Sequence, residues 1–245
     1  MQKRCIRDRL SLGIHWRSPD LTLWKPLRTL FQHPARALRP KQLRALALAR
    51  QGSPRSLDEA QEILGELYAS GQRDPETLGI YGATWMDRYR RSGNLDDLRQ
   101  SRDLYAEAFD RAPDDYYTGV NAASKSVLLG TEVDLNSADL YAKRVQTIVG
   151  TEPVQGDYWM TATVAEVLLI QQKYKDAAEV YAAAVSMARS ESGSHQAAWI
   201  QACNLMAKLQ PVPEDRLLIR AAFAHLPDCQ DLLSRTSPPS VGAAS

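Results

Sequence analysis

Along most of the chain, apolar residues return every three to four positions, the period of a helix face rather than of a strand. In residues 57–69 Ala60, Ile63, Leu64 and Leu67 fall at i, i+3, i+4 and i+7. Residues 176–187 do the same with Ala177, Val180, Tyr181, Ala184 and Val185. Breakers interrupt these stretches at Gly52 and Pro54, Gly71 and Pro75, Gly93, Pro113, Gly130, Gly150 and Pro153, Gly193, and Pro211 and Pro213. The pattern predicts about ten helices of about 11–16 residues joined by short turns. The expected fold class is all-α.

The helices repeat as pairs. Small or slim residues recur on the second helix of each pair at Ala60, Ser101, Ala138 and Ala177, separated by 41, 37 and 39 residues. First helices carry Ala45, Met86, Ala123, Ala165 and Cys203, separated by 41, 37, 42 and 38. A turn residue follows the first four of these helices at Gly52, Gly93, Gly130 and Gln172. Small side chains at such points let two helices approach, and Tyr105 and Tyr181 four residues later fill the adjoining groove. Trp85 and Tyr141 also fall on core-facing positions. Helix pairs at a near-fixed period mean a solenoid. The expected units are about 41–75, 76–113, 114–152, 156–190 and 194–226, with 1–40 an N-terminal arm or cap and 227–245 a flexible tail.

This arrangement resembles the tetratricopeptide repeat, and residues 171–188 (QQKYKDAAEVYAAAVSMA) carry the likeness best. The resemblance implies a right-handed solenoid of about five helical hairpins. Within residues 73–130, the motifs DPETLG (Asp74–Gly79), Gly82, Asp87–Arg88 and YYTGVNAA (Tyr116–Ala123) are similar to the TRAFs-binding regulatory domain of apoptosis-signal-regulating kinases and its bacterial relatives. That likeness implies a sensor or docking platform in signalling. Met86 stands where that family usually has Lys before its Asp–Arg pair, which removes one charged contact.

Composition narrows the chemistry. The chain has 245 residues, 44% hydrophobic and 24% charged, ordinary globular usage that excludes wholesale disorder. No apolar run approaches the roughly 18 residues needed to cross a bilayer, and the opening residues lack the apolar stretch of a secretory leader. Cys5, Cys203 and Cys229 are odd in number and far apart, so neither a disulfide nor a zinc site is expected, and the expected compartment is the reducing cytoplasm. No phosphate loop, nucleophile elbow, zincin or kinase motif is present, and His15, His33, His195 and His225 stand apart in sequence. The expectation is therefore no catalysis and no cofactor. The formal charge of +1 hides twelve Lys/Arg against two Asp/Glu in residues 1–50, a balance of +10. The remainder holds eighteen against twenty-seven, a balance of −9. A basic segment of this kind either neutralises its own acidic body or docks an acidic partner. The aromatic-rich 16–31, with Trp16 and Trp24, fits a short capping helix or a membrane-surface contact.

In a tetratricopeptide-like solenoid the first helices line the concave surface. Its inward polar positions are Thr84, Asp87 and Arg90 in the second unit, Tyr117, Asn121 and Ser124 in the third, and Trp159, Thr163 and Glu166 in the fourth. Asn121 is informative because an amide offers two donors and an acceptor where Leu would pack better. It either holds a bound segment or bridges neighbouring helices. Arg88, Arg90 and Arg91 sit in a last helical turn, where cations complement the dipole; Arg90 lies one turn from Asp87 and is placed to pair with it. The slots of a carboxylate clamp hold Gln42, Leu46, Ser124 and Thr163, so an acidic C-terminus is disfavoured as ligand. The expected partner is a protein or peptide segment, with a nucleotide-type small ligand as the alternative. Nucleic acid is disfavoured, since no recognition module is present.

Overall fold

The computed structural model describes residues 34–188 and 192–236, which form eleven helices and no strand. They are α1 (Pro34–Gln51), α2 (Pro54–Ala69), α3 (Pro75–Ser92), α4 (Leu95–Arg111), α5 (Tyr116–Leu129), α6 (Glu132–Val149), α7 (Tyr158–Ile170), α8 (Tyr174–Met187), α9 (Ser192–Leu209), α10 (Pro213–Ala222) and α11 (Cys229–Thr236).

Local chemistry sets the boundaries. Ser53 and Ser56 form a reciprocal capping box at the start of α2, with Pro54 at the first helical position. Asp74, Asn94, Asp115, Thr131 and Asp157 each accept a backbone N–H at the start of α3 to α7 in turn. The C-terminal signal is equally regular. Left-handed residues follow the first helix of every pair at Gly52, Gly93, Gly130, Gln172 and Gln210. Each lies seven positions after Ala45, Met86, Ala123, Ala165 and Cys203 respectively. The repeat is thus encoded in the turns as well as in the small residues.

Four pairs (α1/α2, α3/α4, α5/α6 and α7/α8) pack as hairpins, and α2, α4 and α6 each pack on the first helix of the next pair. First helices touch one another as well, α1 on α3 and α5 on α7, and form the inner layer of an all-α helical-repeat solenoid. The small residues named above are buried at these crossings. Ser101 donates its hydroxyl to the Gly82 carbonyl at 2.7 Å, and a Cβ on Gly82 would stand 3.0 Å from the Tyr105 ring.

The fifth pair departs from this order. By register α9 is a first helix, yet it makes little contact with α8 or α10. It rests instead on α5, α7 and α11. Helix α10 takes the position against α8, where Phe223 stacks edge-on to Tyr181 at 5.1 Å. Covered by α9, α5 and α7 are buried on nearly all sides. One contiguous core runs from Phe109 to Leu232, while α1 to α4 hold smaller separate clusters.

The structure departs from the sequence expectations at several places. Cys203 and Cys229 form a disulfide, because α9 and α11 bring their Cα atoms to 5.4 Å across 26 residues of sequence. His195 and His225, distant in sequence, meet at 3.1 Å between ring nitrogens. Residues 229–236 form α11, whose Leu232 is buried, where a flexible tail was expected. Helix α1 also begins at Pro34, ahead of the expected unit boundary at 41, and carries Pro40 inside it. The basic charge of residues 39–44 is used internally: Arg39 pairs with Glu76, Lys41 with Glu66 and Arg44 with Glu59. The proposed capping helix of residues 16–31 and the tail after 236 lie outside the described residues.

Candidate functional site

The inner face of α3 and α5 carries a polar chain. On α3, Arg90 donates to Asp87 at 2.8 Å, and both side chains are more than a third exposed. This is the pairing that their spacing predicts. The other two arginines turn away. Arg88 donates to Gln61 and Arg91 to the Gly52 carbonyl, so both tie α3 back to the first hairpin.

Beneath the pair lies Tyr105 of α4, buried and edge-on to Tyr117 of α5 at 6.2 Å. Burial raises the Tyr105 phenol well above its ordinary pKa; Tyr117 and Asp87 push in the same direction and Arg90 opposes them. It therefore stays protonated through the physiological range. Asn121, one turn on, donates its amide to the Tyr117 carbonyl at 2.8 Å and accepts from Lys125 at 2.6 Å. Lys125 is buried, also donates to Ser124 at 3.3 Å, and lies 5.4 Å from the Tyr105 ring centre. A cation held against an aromatic face and an amide is stabilised electrostatically despite its burial. Sequence reasoning missed Lys125, and placed Tyr105 correctly in the packing between helices. Lys125 was legible as a charge inside the otherwise small and apolar run VNAASKSVLL.

Of the remaining candidates, Ser124 touches this cluster through Lys125 and Asn121, and the others lie apart from it. Thr84, Ser124 and Thr163 are buried, and their hydroxyls bond the carbonyls of Tyr81, Asn121 and Trp159 within their own helices. They pack between helices rather than line an open face. Trp159 stacks edge-on to Tyr158 at 4.9 Å, in a small cluster with Ala162, Ala184 and Ala188. Glu166 points under α9 and accepts from Gln201 at 3.0 Å. The structure thus groups Asp87, Arg90, Tyr117 and Asn121, and leaves Thr84, Trp159, Thr163 and Glu166 elsewhere. Asp115, which caps α5 ahead of Tyr117, has its carboxyl raised above the usual range by burial, against the lowering effect of bonds from Thr118 and Tyr117. The described residues contain no group of three or more His, Cys, Asp or Glu able to hold a metal.

The family described as Tetratricopeptide Repeats-Sensor matches residues 21–129. The match covers α1 to α5, the span that holds the polar cluster, and it takes in residues 21–40, which helical periodicity alone leaves outside the repeats. It supports a protein of tetratricopeptide type. No curated protein and no solved structure matches the chain.

Proposed function

We propose that this protein is a non-catalytic tetratricopeptide scaffold of the sensor kind, which recognises a protein or peptide segment on the inner face of α3 and α5. The observation that supports this most is the cluster of Asp87, Arg90, Tyr117, Asn121 and Lys125. It joins an exposed ion pair to an aromatic edge and a buried cation, on inner-layer helices where helical packing alone would favour Ala and Leu. A segment held there gains a planar contact from Tyr117 and charge-assisted bonds from Asp87 and Arg90. Because α9 lies over α5 and α7, the groove is short, and such a ligand binds with modest affinity, on the order of micromolar. The setting proposed is signalling or stress and defence regulation in the cytoplasm. The likeness to the TRAFs-binding domain of apoptosis-signal-regulating kinases belongs to this proposal.

Affinity capture from cell extract, with the wild type beside Asp87→Ala and Tyr117→Ala variants of unchanged melting temperature, tests the reading. Partners lost from both variants support it; an identical partner set overturns the site. A second reading is favoured by the compactness of the cluster and by the word sensor in the family's description: a nucleotide-type ligand whose phosphates meet Arg90 and whose base stacks on Tyr117. A thermal-shift panel of nucleotides and NAD-derived metabolites separates the two. Ligand at a hundred times its dissociation constant adds about 2.7 kcal/mol, a readily measured shift. Flat melting curves leave the peptide reading; a shift abolished by Arg90→Ala replaces it.

A further inference from the structure

We propose that the Cys203–Cys229 bond is a redox latch, which when oxidised holds α9 across the inner faces of α5 and α7 and when reduced lets the α9–α11 unit loosen from them. Among the described residues, α9 is the one first helix that abandons its expected slot. Its turn residue Gln210 and its slim residue Cys203 keep the register of the repeat, while its packing places it over α5 and α7.

Helix α9 is held from two sides, by the inner layer and by the segment that follows α10. Trp199 donates its indole N–H to the Pro227 carbonyl at 2.8 Å and stacks on Phe223 at 5.0 Å. His195 meets His225 at 3.1 Å. Each of these ties α9 to the segment that follows α10, and the disulfide closes the same loop. Toward the inner layer Gln201 donates to Glu166 at 3.0 Å and the His195 ring lies 5.6 Å from that of Tyr158 in α7, with apolar packing around them. Helix α10 sits on α8, and α11 folds back on α9. The chain therefore wraps the end of the solenoid and is fastened onto itself by one covalent bond. Helix α11 is only eight residues long, with Leu232 its buried anchor beside Cys229.

The chemistry is thiol–disulfide exchange with a dithiol reductant. Cys203 is fully buried, whereas Cys229 is half-buried, so the attacking thiolate reaches Cys229. A bond forms from the reductant to the Cys229 sulfur, and Cys203 leaves as a thiolate and takes up a proton. The reductant's second thiol then displaces Cys229, which is protonated in turn. The protein gains two electrons and two protons, and the dithiol becomes a disulfide. In a reducing cytoplasm such a bond is a sensing bond rather than a permanent one.

Hydrogen exchange read by mass spectrometry on the full chain tests this without any ligand, so the outcome is independent of the function proposed above. Oxidised protein is compared with protein reduced by dithiothreitol, and with Cys229→Ser in non-reducing buffer. The expected result is exchange faster by about tenfold or more in α9, α11 and the covered stretches of α5 and α7, with α1 to α4 unchanged. Cys229→Ser is expected to show the same pattern and to ignore the reductant. Unchanged protection of α9 on reduction overturns the latch. So does uniform loss through all helices, which makes the bond a staple of the whole fold. Full alkylation of Cys203 and Cys229 in unfolded protein that has met oxidant but no reductant overturns it as well.

Discussion

At the scale of single residues, Gly119 in α5 has the least room of the described glycines. A Cβ there would stand 2.6 Å from Val145 Cγ2 and 2.8 Å from Phe109 Cζ, so α5 lies against α4 and α6 with no room for a methyl group. Gly119→Ala is expected to destabilise by about 1–3 kcal/mol through overpacking. At about 2–4 °C per kcal/mol for a chain of this size, the loss is plain in a thermal melt. Gly79 in α3 provides the control. Its added Cβ would meet Thr118 and Tyr117 at an ordinary 3.9 Å, so Gly79→Ala is expected to be neutral or to stabilise by up to about 1 kcal/mol through helix propensity. Equal losses at both sites would contradict the packing of α5. Asp115 makes a prediction about pH. Its carboxyl is raised in the folded state, chiefly by burial, so the folded protein holds that proton more tightly than the unfolded chain. Its contribution to stability is present in full below the unfolded value and is lost as pH rises through the folded value. Asp115→Asn keeps a capping acceptor without the charge. Relative to this variant, the wild type is therefore expected to lose melting temperature between acid and neutral pH; parallel curves would show that Asp115 titrates as in the unfolded chain.

At the scale of elements, α10 closes the solenoid. Phe223 and Ile219 are fully buried, Phe223 between Tyr181 and Trp199, while Leu217 is 68% exposed on the opposite side. Phe223→Ala is expected to cost about 3–5 kcal/mol, and Leu217→Ala well under 1 kcal/mol, by denaturant titration. Comparable costs would mean that α10 docks by its other face. These elements also show what is legible in the sequence. The first four hairpins follow from local signals: the helical period, the slim residues at each crossing, and a left-handed turn seven residues later. The Asp87–Arg90 pair follows too, because i,i+3 neighbours on a helix meet whatever surrounds them. Where α9 goes is not local. Its register names it a first helix, but its position depends on which surface best accepts a helix buried through its centre. A trace of this exists, since YWMTATVAEVLLI in α7 is apolar nearly all round, the mark of a helix covered on both sides. Glu166 and Thr163 were expected at an open face because that trace was outweighed by the repeat register. The Cys203–Cys229 bond is beyond sequence for the same reason, since two cysteines 26 residues apart reveal nothing until α9 leaves its slot.

At the scale of the whole molecule, the cores are unequal. From Phe109 onward one continuous apolar cluster joins α4 to α11, cross-linked by the disulfide, whereas α1 and α2 rest on a small cluster around Ala45, Ala60, Leu64 and Ile80. Ion pairs at that end are largely exposed: Lys41 with Glu66 is separated by 3.8 Å, with both side chains more than half exposed. Such pairs are worth at most about 1 kcal/mol each. In a solenoid, stability is approximately the sum of each repeat's own contribution and its contacts with neighbours, and a terminal repeat has one neighbour rather than two. The C-terminal end escapes that weakness because α9, α10 and α11 cover it. The N-terminal hairpin has no comparable cover among the described residues. Unfolding is therefore expected to begin at α1 and α2 and to spread toward α5, with the α5–α9 block opening last. In oxidised protein, native-state hydrogen exchange is expected to give α1 and α2 the lowest opening free energies and α7 and α9 the highest. Added salt is expected to widen the difference, since it screens the exposed pairs of α1 and leaves the buried block unaffected. Uniform protection from α1 to α9 would show that the solenoid unfolds as one cooperative unit.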